Sequence, residues 1–130
     1  MFKKKNNFDA NINTDKIETI IGKNTNLEGN LKSQGTIRID GNFNGKIDVD
    51  GNIIVGENSK IEADITTDNI SISGEIKGNL IVKGQAQLTS TAKLFGDIEV
   101  QNIIIDDGAI FEGKCKMTNS EISLKKEEIK

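Results

Sequence analysis

An all-β solenoid is the fold this sequence predicts: a single domain of about six coils, each about 17 residues long. Three observations carry that expectation. Two columns of apolar residues recur with a common period near 17. Within each unit the apolar residues alternate with period two, as they do on a strand with one buried face. Glycine and asparagine punctuate the units, proline is absent, and the five phenylalanines are the only aromatic residues.

The clearest unit runs from Gly35 to Asp50, GTIRIDGNFNGKIDVD. Ile37 with Ile39, and Ile47 with Val49, read as short strands, with Phe43 between them. Gly35, Gly41 and Gly45 mark the bends. A rougher copy precedes it, with Ile20, Leu27 and Leu31. The next unit carries Ile53, Val55, Ile61 and Ile65. Ile70, Ile72, Ile76, Leu80 and Val82 follow, and then Ala86, Leu88, Leu94, Ile98 and Val100. The last unit has Ile103, Ile105, Ile110, Cys115 and Met117.

One column, Ile20, Ile37, Ile53, Ile70, Ala86 and Ile103, steps by 17, 16, 17, 16 and 17. A second, Leu31, Ile47, Ile65, Leu80, Ile98 and Cys115, steps by 16, 18, 15, 18 and 17. A period this short excludes helical hairpins and propeller blades. At about 3.3 Å per residue it traces a loop of roughly 55 Å, which suits one three-sided coil. Stacked about 4.8 Å apart, such coils turn each column into an internal ladder. A chain nearly all in strands also accounts for the missing proline, which removes a ladder donor.

The solenoid is expected over residues 17–118. Residues 1–16 (MFKKKNNFDANINTDK) and 119–130 (NSEISLKKEEIK) read as loose polar tails. Three outward rows follow from the alternation. They are Arg38, Ile54, Ser71, Gln87, Ile104; Lys32, Asp48, Thr66, Ile81, Glu99, Lys116; and Asn30, Lys46, Asp64, Asn79, Asp97, Lys114. Mixed charges along the last two limit repulsion between coils.

A net charge of −3 implies no bulk attraction to nucleic acid. No apolar run approaches a membrane span, and the start lacks the apolar middle of a signal peptide. One cysteine excludes an internal disulfide framework, so a cytoplasmic location is expected.

With the repeat in place, the chain resembles a bactofilin, a polymer-forming bacterial cytoskeletal protein. The resemblance rests on IRIDGNFNGKIDVDG at 37–51, ISISGEIKGNLIVKG at 70–84, the closing GAIFEGKCKM at 108–117 and the initial MFKKK. It implies a right-handed β-helix that joins end to end, without nucleotide, into nonpolar filaments. It also implies a cytoskeletal scaffold at the inner face of the cytoplasmic membrane, recruiting client proteins such as cell-wall enzymes in cell shape or polar organisation. The missing proline is a departure, since proline often enriches the tails in this family.

The residues agree with polymerisation. A solenoid without polar caps leaves apolar ladders and unpaired backbone open at both ends. Ile20, Ile21, Leu27 and Leu31 are the candidates at the first coil; Ile110, Phe111, Cys115 and Met117 are those at the last. Burying a few hundred Å² there at about 25 cal/mol/Å² supplies several kcal/mol per junction before association entropy is subtracted. Phe111 leads the set, because Phe can bury about 150 Å² or more and because the resemblance implies a junction phenylalanine near this end. At the other extreme, Met1 and Phe2 with Lys3, Lys4 and Lys5 read either as a solubilising start or as a tip for anionic membranes.

Two alternatives belong to other classes: a β-helical enzyme of the hexapeptide acyltransferase kind, and a capped monomeric binding module. The first needs a strict six-residue period and commonly a histidine base; the spacing here varies from 15 to 18 and histidine is absent. No catalytic, cofactor or metal site is expected. Asp48–Gly51 and Asp106–Gly108 lack the further ligands of a calcium loop, and no phosphate-loop motif occurs. Cys115 stands in a column of Leu and Ile and reads as core.

Overall fold

The computed structural model describes residues 17–118, and there the chain is a parallel β-solenoid. Its strands are β1 (Ile17–Ile21), β2 (Asn26–Ile39), β3 (Asn42–Val55), β4 (Lys60–Ile72), β5 (Glu75–Lys77), β6 (Leu80–Leu88), β7 (Lys93–Phe95), β8 (Ile98–Ile105), β9 (Ile110–Glu112) and β10 (Cys115–Met117). Every pairing among them is parallel. The tails expected over 1–16 and 119–130, and the tip Met1–Lys5 with them, lie outside the described residues.

Each coil has three sides. On the first side 36–39 stacks on 52–55, then 69–72, 85–88 and 102–105. On the second, Leu27, Phe43, Ile61, Ile76, Leu94 and Phe111 form one ladder. On the third, Leu31, Ile47, Ile65, Leu80, Ile98 and Cys115 form another. Six levels about 4.8 Å apart make a body roughly 25 Å tall. The ladders fill its interior, and Ile37, Ile53, Ile76 and Leu94 are wholly buried.

Corners explain the uneven period. The second and third ladders share the same steps, with four residues separating their inward positions in every coil. The length therefore changes elsewhere, mostly at the corner joining the first side to the second. Four of those corners, 22–25, 56–59, 89–92 and 106–109, are closed by a turn hydrogen bond. The amides of Thr25, Ser59, Ala92 and Ala109 donate to the carbonyls of Gly22, Gly56, Thr89 and Asp106 at 3.1, 3.1, 2.9 and 3.1 Å. The corners at 40–41 and 73–74 are two residues shorter and pass close against the turn before them. A Cβ on Gly41 would strike the Gly22 and Thr25 carbonyls, and one on Gly74 would strike those of Gly56 and Ser59. Glycine is required there by proximity, not by φ.

Polar side chains enter the wall only with partners. Buried Ser59 donates through Oγ to the Ile39 carbonyl at 2.6 Å. Thr67, wholly buried, donates to the Gly51 carbonyl at 3.0 Å. An amide ladder climbs the first side: Asn52 donates to Thr36 Oγ1 at 3.3 Å, and Asn69 donates to Asn52 Oδ1 at 3.0 Å. The Gln85 amide then donates to Asn69 Oδ1 at 2.9 Å.

The three outward rows run in the expected register. Two column assignments need correction. Ile20 does not head the first column: it pairs with Arg38 on the outer face, while Thr19 lies opposite Ile37 and Ile21 opposite Ile39. A bulge between Ile17 and Thr19 sets this register, and a one-residue slip exchanges the faces. It buries Ile21 and turns Ile20 out, 64% exposed. Ile110 likewise pairs with Lys93 outside, and Phe111 takes the inward place opposite Leu94. After each closed turn one outward residue precedes the inward one, as in Asn26–Leu27, Lys60–Ile61 and Lys93–Leu94.

Candidate self-assembly ends

A parallel stack has two open edges, and the first and last coils supply them. Among the described residues, β1 and the first half of β2 have a neighbour on one side only, as do β9, β10 and the end of β8. Their outer backbone groups face away from the body, the arrangement that invites a further strand. Among the described residues no helix lies over either end.

At the first coil, Leu27 ends the second ladder and is 38% exposed, and Leu31 ends the third, half-buried. Ile21 ends an inner column of the first side and is already buried. At the last coil, Phe111 ends the second ladder as Leu27 does at the opposite edge, half-buried against the core. Cys115 ends the third ladder; its Sγ lies 4.0 Å from Met117 Sδ, and Met117 is buried.

Six of the eight residues expected at the ends therefore terminate inner columns: Ile21, Leu27, Leu31, Phe111, Cys115 and Met117. Ile20 and Ile110 sit on outer faces beside the two rims. Sequence reasoning left Ile103 and Ile105 out of the set, although both close columns of the first side at the last coil. The signal was present, since each lies 17 residues beyond its ladder neighbour, Ala86 or Leu88.

Charge does not oppose contact at either end. Glu18 and Glu28 are balanced by Lys23 and Lys32 in the first coil. In the last, Asp106, Asp107 and Glu112 stand against Lys114 and Lys116. Like ends and unlike ends can thus both approach without strong repulsion. No group of three or more His, Cys, Asp or Glu among the described residues could hold a metal ion. No described helix is long and apolar enough to cross a membrane.

Residues 19–116 match a family model described as "Bactofilin: Polymer-forming cytoskeletal". A cryo-EM reconstruction of Thermus thermophilus bactofilin double helical filaments superposes with a TM-score of 0.73 at 29% identity, covering 75% of this chain and 97% of that one. A crystal structure of a phenylalanine-to-arginine mutant of the Thermus thermophilus bactofilin gives 0.64 at 28% identity, covering 67% and 97%. No curated protein matches the chain.

Proposed function

The chain belongs to the bactofilin family of polymer-forming cytoskeletal proteins, and from that premise we propose that it assembles end to end, without nucleotide, into nonpolar filaments. One observation carries the reading: the inner columns stop at two rims that no helix covers among the described residues, with Leu27 and Phe111 closing the same ladder at opposite edges. Joining two rims continues both the backbone pairing and the apolar stack. Neither contribution calls for a phosphate site or a hydrolysis step. The near-balanced charge of both ends permits like-to-like contact, which a nonpolar filament requires.

These filaments scaffold client proteins, among them cell-wall enzymes, at the inner face of the cytoplasmic membrane. Met1, Phe2 and Lys3–Lys5 supply the attachment. Because the Thermus thermophilus relative is described as forming double helical filaments, filaments of this chain pair as well. The role is structural, with no catalytic step.

Electron microscopy of the purified chain in nucleotide-free buffer tests the polymer. Wild type forms filaments; Phe111→Arg gives a folded monomer, because a charged side chain would enter the junction stripped of water. Normal filaments from Phe111→Arg would remove Phe111 from the junction, and a monodisperse wild-type monomer would refute the polymer altogether.

A further inference from the structure

The three outer walls of the solenoid differ sharply in charge. On the first side of the last four coils, segments 52–55, 69–72, 85–88 and 102–105 contain no ionisable residue. The second side of the same coils carries Lys60, Glu62, Glu75, Lys77, Lys93 and Glu112. The third carries Asp64, Asp97, Glu99, Lys114 and Lys116. The amide ladder through Asn52 and Asn69 accounts for part of the contrast, since those side chains bond to one another along the wall. It does not account for isoleucines turned outward beside it.

Those isoleucines share one row. It runs Ile20, Arg38, Ile54, Ser71, Gln87, Ile104 from rim to rim. Its ends are its most apolar points, with Ile20 at 64% and Ile104 at 44% exposure. Arg38, its only charge, is held by Asp40 at 2.9 Å. When subunits join at their rims, the row continues across each junction with an isoleucine on either side. Charge depletion around an apolar centre is the compositional mark of a protein interface.

We propose that this first side is the surface along which two filaments of this chain pair. A second copy is the fitting occupant. The wall has no charge over its last four coils, and only Glu18 and the Asp40-paired Arg38 over the first two, so it meets its own kind with little repulsion. A charged partner would select the second or third side. The size of the wall decides when pairing occurs. Six strands about 4.8 Å apart and four residues wide give roughly 330 Å², well short of the roughly 800 Å² per partner of a stable complex. Isolated subunits therefore do not pair through it. A filament repeats the wall at every subunit, and the contacts add along its length. The inference rests on end-to-end assembly and names the surface used in pairing.

The test places two lysines on each of two walls. Ile54→Lys with Gln87→Lys alters the first side; Thr66→Lys with Asn79→Lys alters the third. Polymer is measured by sedimentation, and pairing by electron microscopy. The first-side variant is expected to sediment like wild type but to give only single filaments, while the third-side variant pairs normally. Should the first-side variant fail to fold, a photoreactive residue at Ser71 replaces it. This is expected to yield covalent dimers in filaments, where one at Thr66 does not. Pairing that survives the first-side lysines, pairing lost only in the third-side variant, cross-links from Thr66 instead of Ser71, or unpaired wild-type filaments would each overturn the proposal. Absence of any sedimenting polymer would instead refute end-to-end assembly, and this inference would fall with it.

Discussion

Gly22 and Gly74 occupy the same corner of different coils, yet they answer to different constraints. Around Gly22 a Cβ would meet only Thr25 Oγ1, at 3.9 Å, whereas at Gly74 it would run into backbone carbonyls that cannot move aside. Gly74→Ala is therefore expected to cost about 1–3 kcal/mol, the range for overpacking, and Gly22→Ala less than about 0.5 kcal/mol. Urea unfolding in a Phe111→Arg background, where assembly is expected not to intrude, measures both. Equal losses would show that the short corner relaxes. The same attention to single positions separates Ile110 from Phe111. One faces outward at 42% exposure and the other ends an inner ladder. Ile110→Arg should leave filaments intact under conditions where Phe111→Arg leaves none. Loss of filaments from both variants would place the outer rim inside the junction.

At the scale of strands, the coil was legible in the sequence because period-two alternation and a 17-residue recurrence agreed over every middle unit. The ladder through Leu31, Ile47, Ile65, Leu80, Ile98 and Cys115 was readable residue for residue. Two strands of the outermost coils, β1 and β9, were not. In IETII either Ile20 or the pair Thr19 and Ile21 can turn inward, and the choice depends on a bulge with no sequence mark. In AIFE the deciding signal is distance from the preceding turn, not spacing from the previous apolar residue. The amide ladder was also invisible beforehand, because Asn52 and Asn69 look like ordinary corner residues until register stacks them. Asn69 both donates to Asn52 and accepts from the Gln85 amide, so it ties three coils together. Asn69→Ala is expected to lower stability by about 1–2 kcal/mol, the net worth of its bonds. Unchanged unfolding in the same monomeric background would mean that the ladder only fills space.

For the molecule as a whole, the proposed membrane tip and the proposed polymer have to be considered together. Met1 and Phe2 with Lys3–Lys5 place two apolar side chains beside three charges in the sequence. Each lysine near an anionic surface contributes about 1 kcal/mol, and the buried Phe about 2–3 kcal/mol. A single copy is then a marginal ligand once the cost of association is subtracted. A filament would present one tip per subunit, which on the proposed reading converts weak attachment into firm attachment by effective concentration alone. Two variants should therefore lose binding to anionic liposomes for different reasons. Deleting residues 2–5 removes the tip but leaves filaments, and sedimentation with vesicles should fall to background. Phe111→Arg keeps the tip but loses the polymer, and its apparent affinity should drop by about tenfold or more. Added salt should weaken wild-type attachment, because exposed lysines are screened. If the monomeric variant binds vesicles as tightly as the filament, attachment owes nothing to assembly. If the deletion binds as wild type does, the attachment site lies on the solenoid wall instead of the tip.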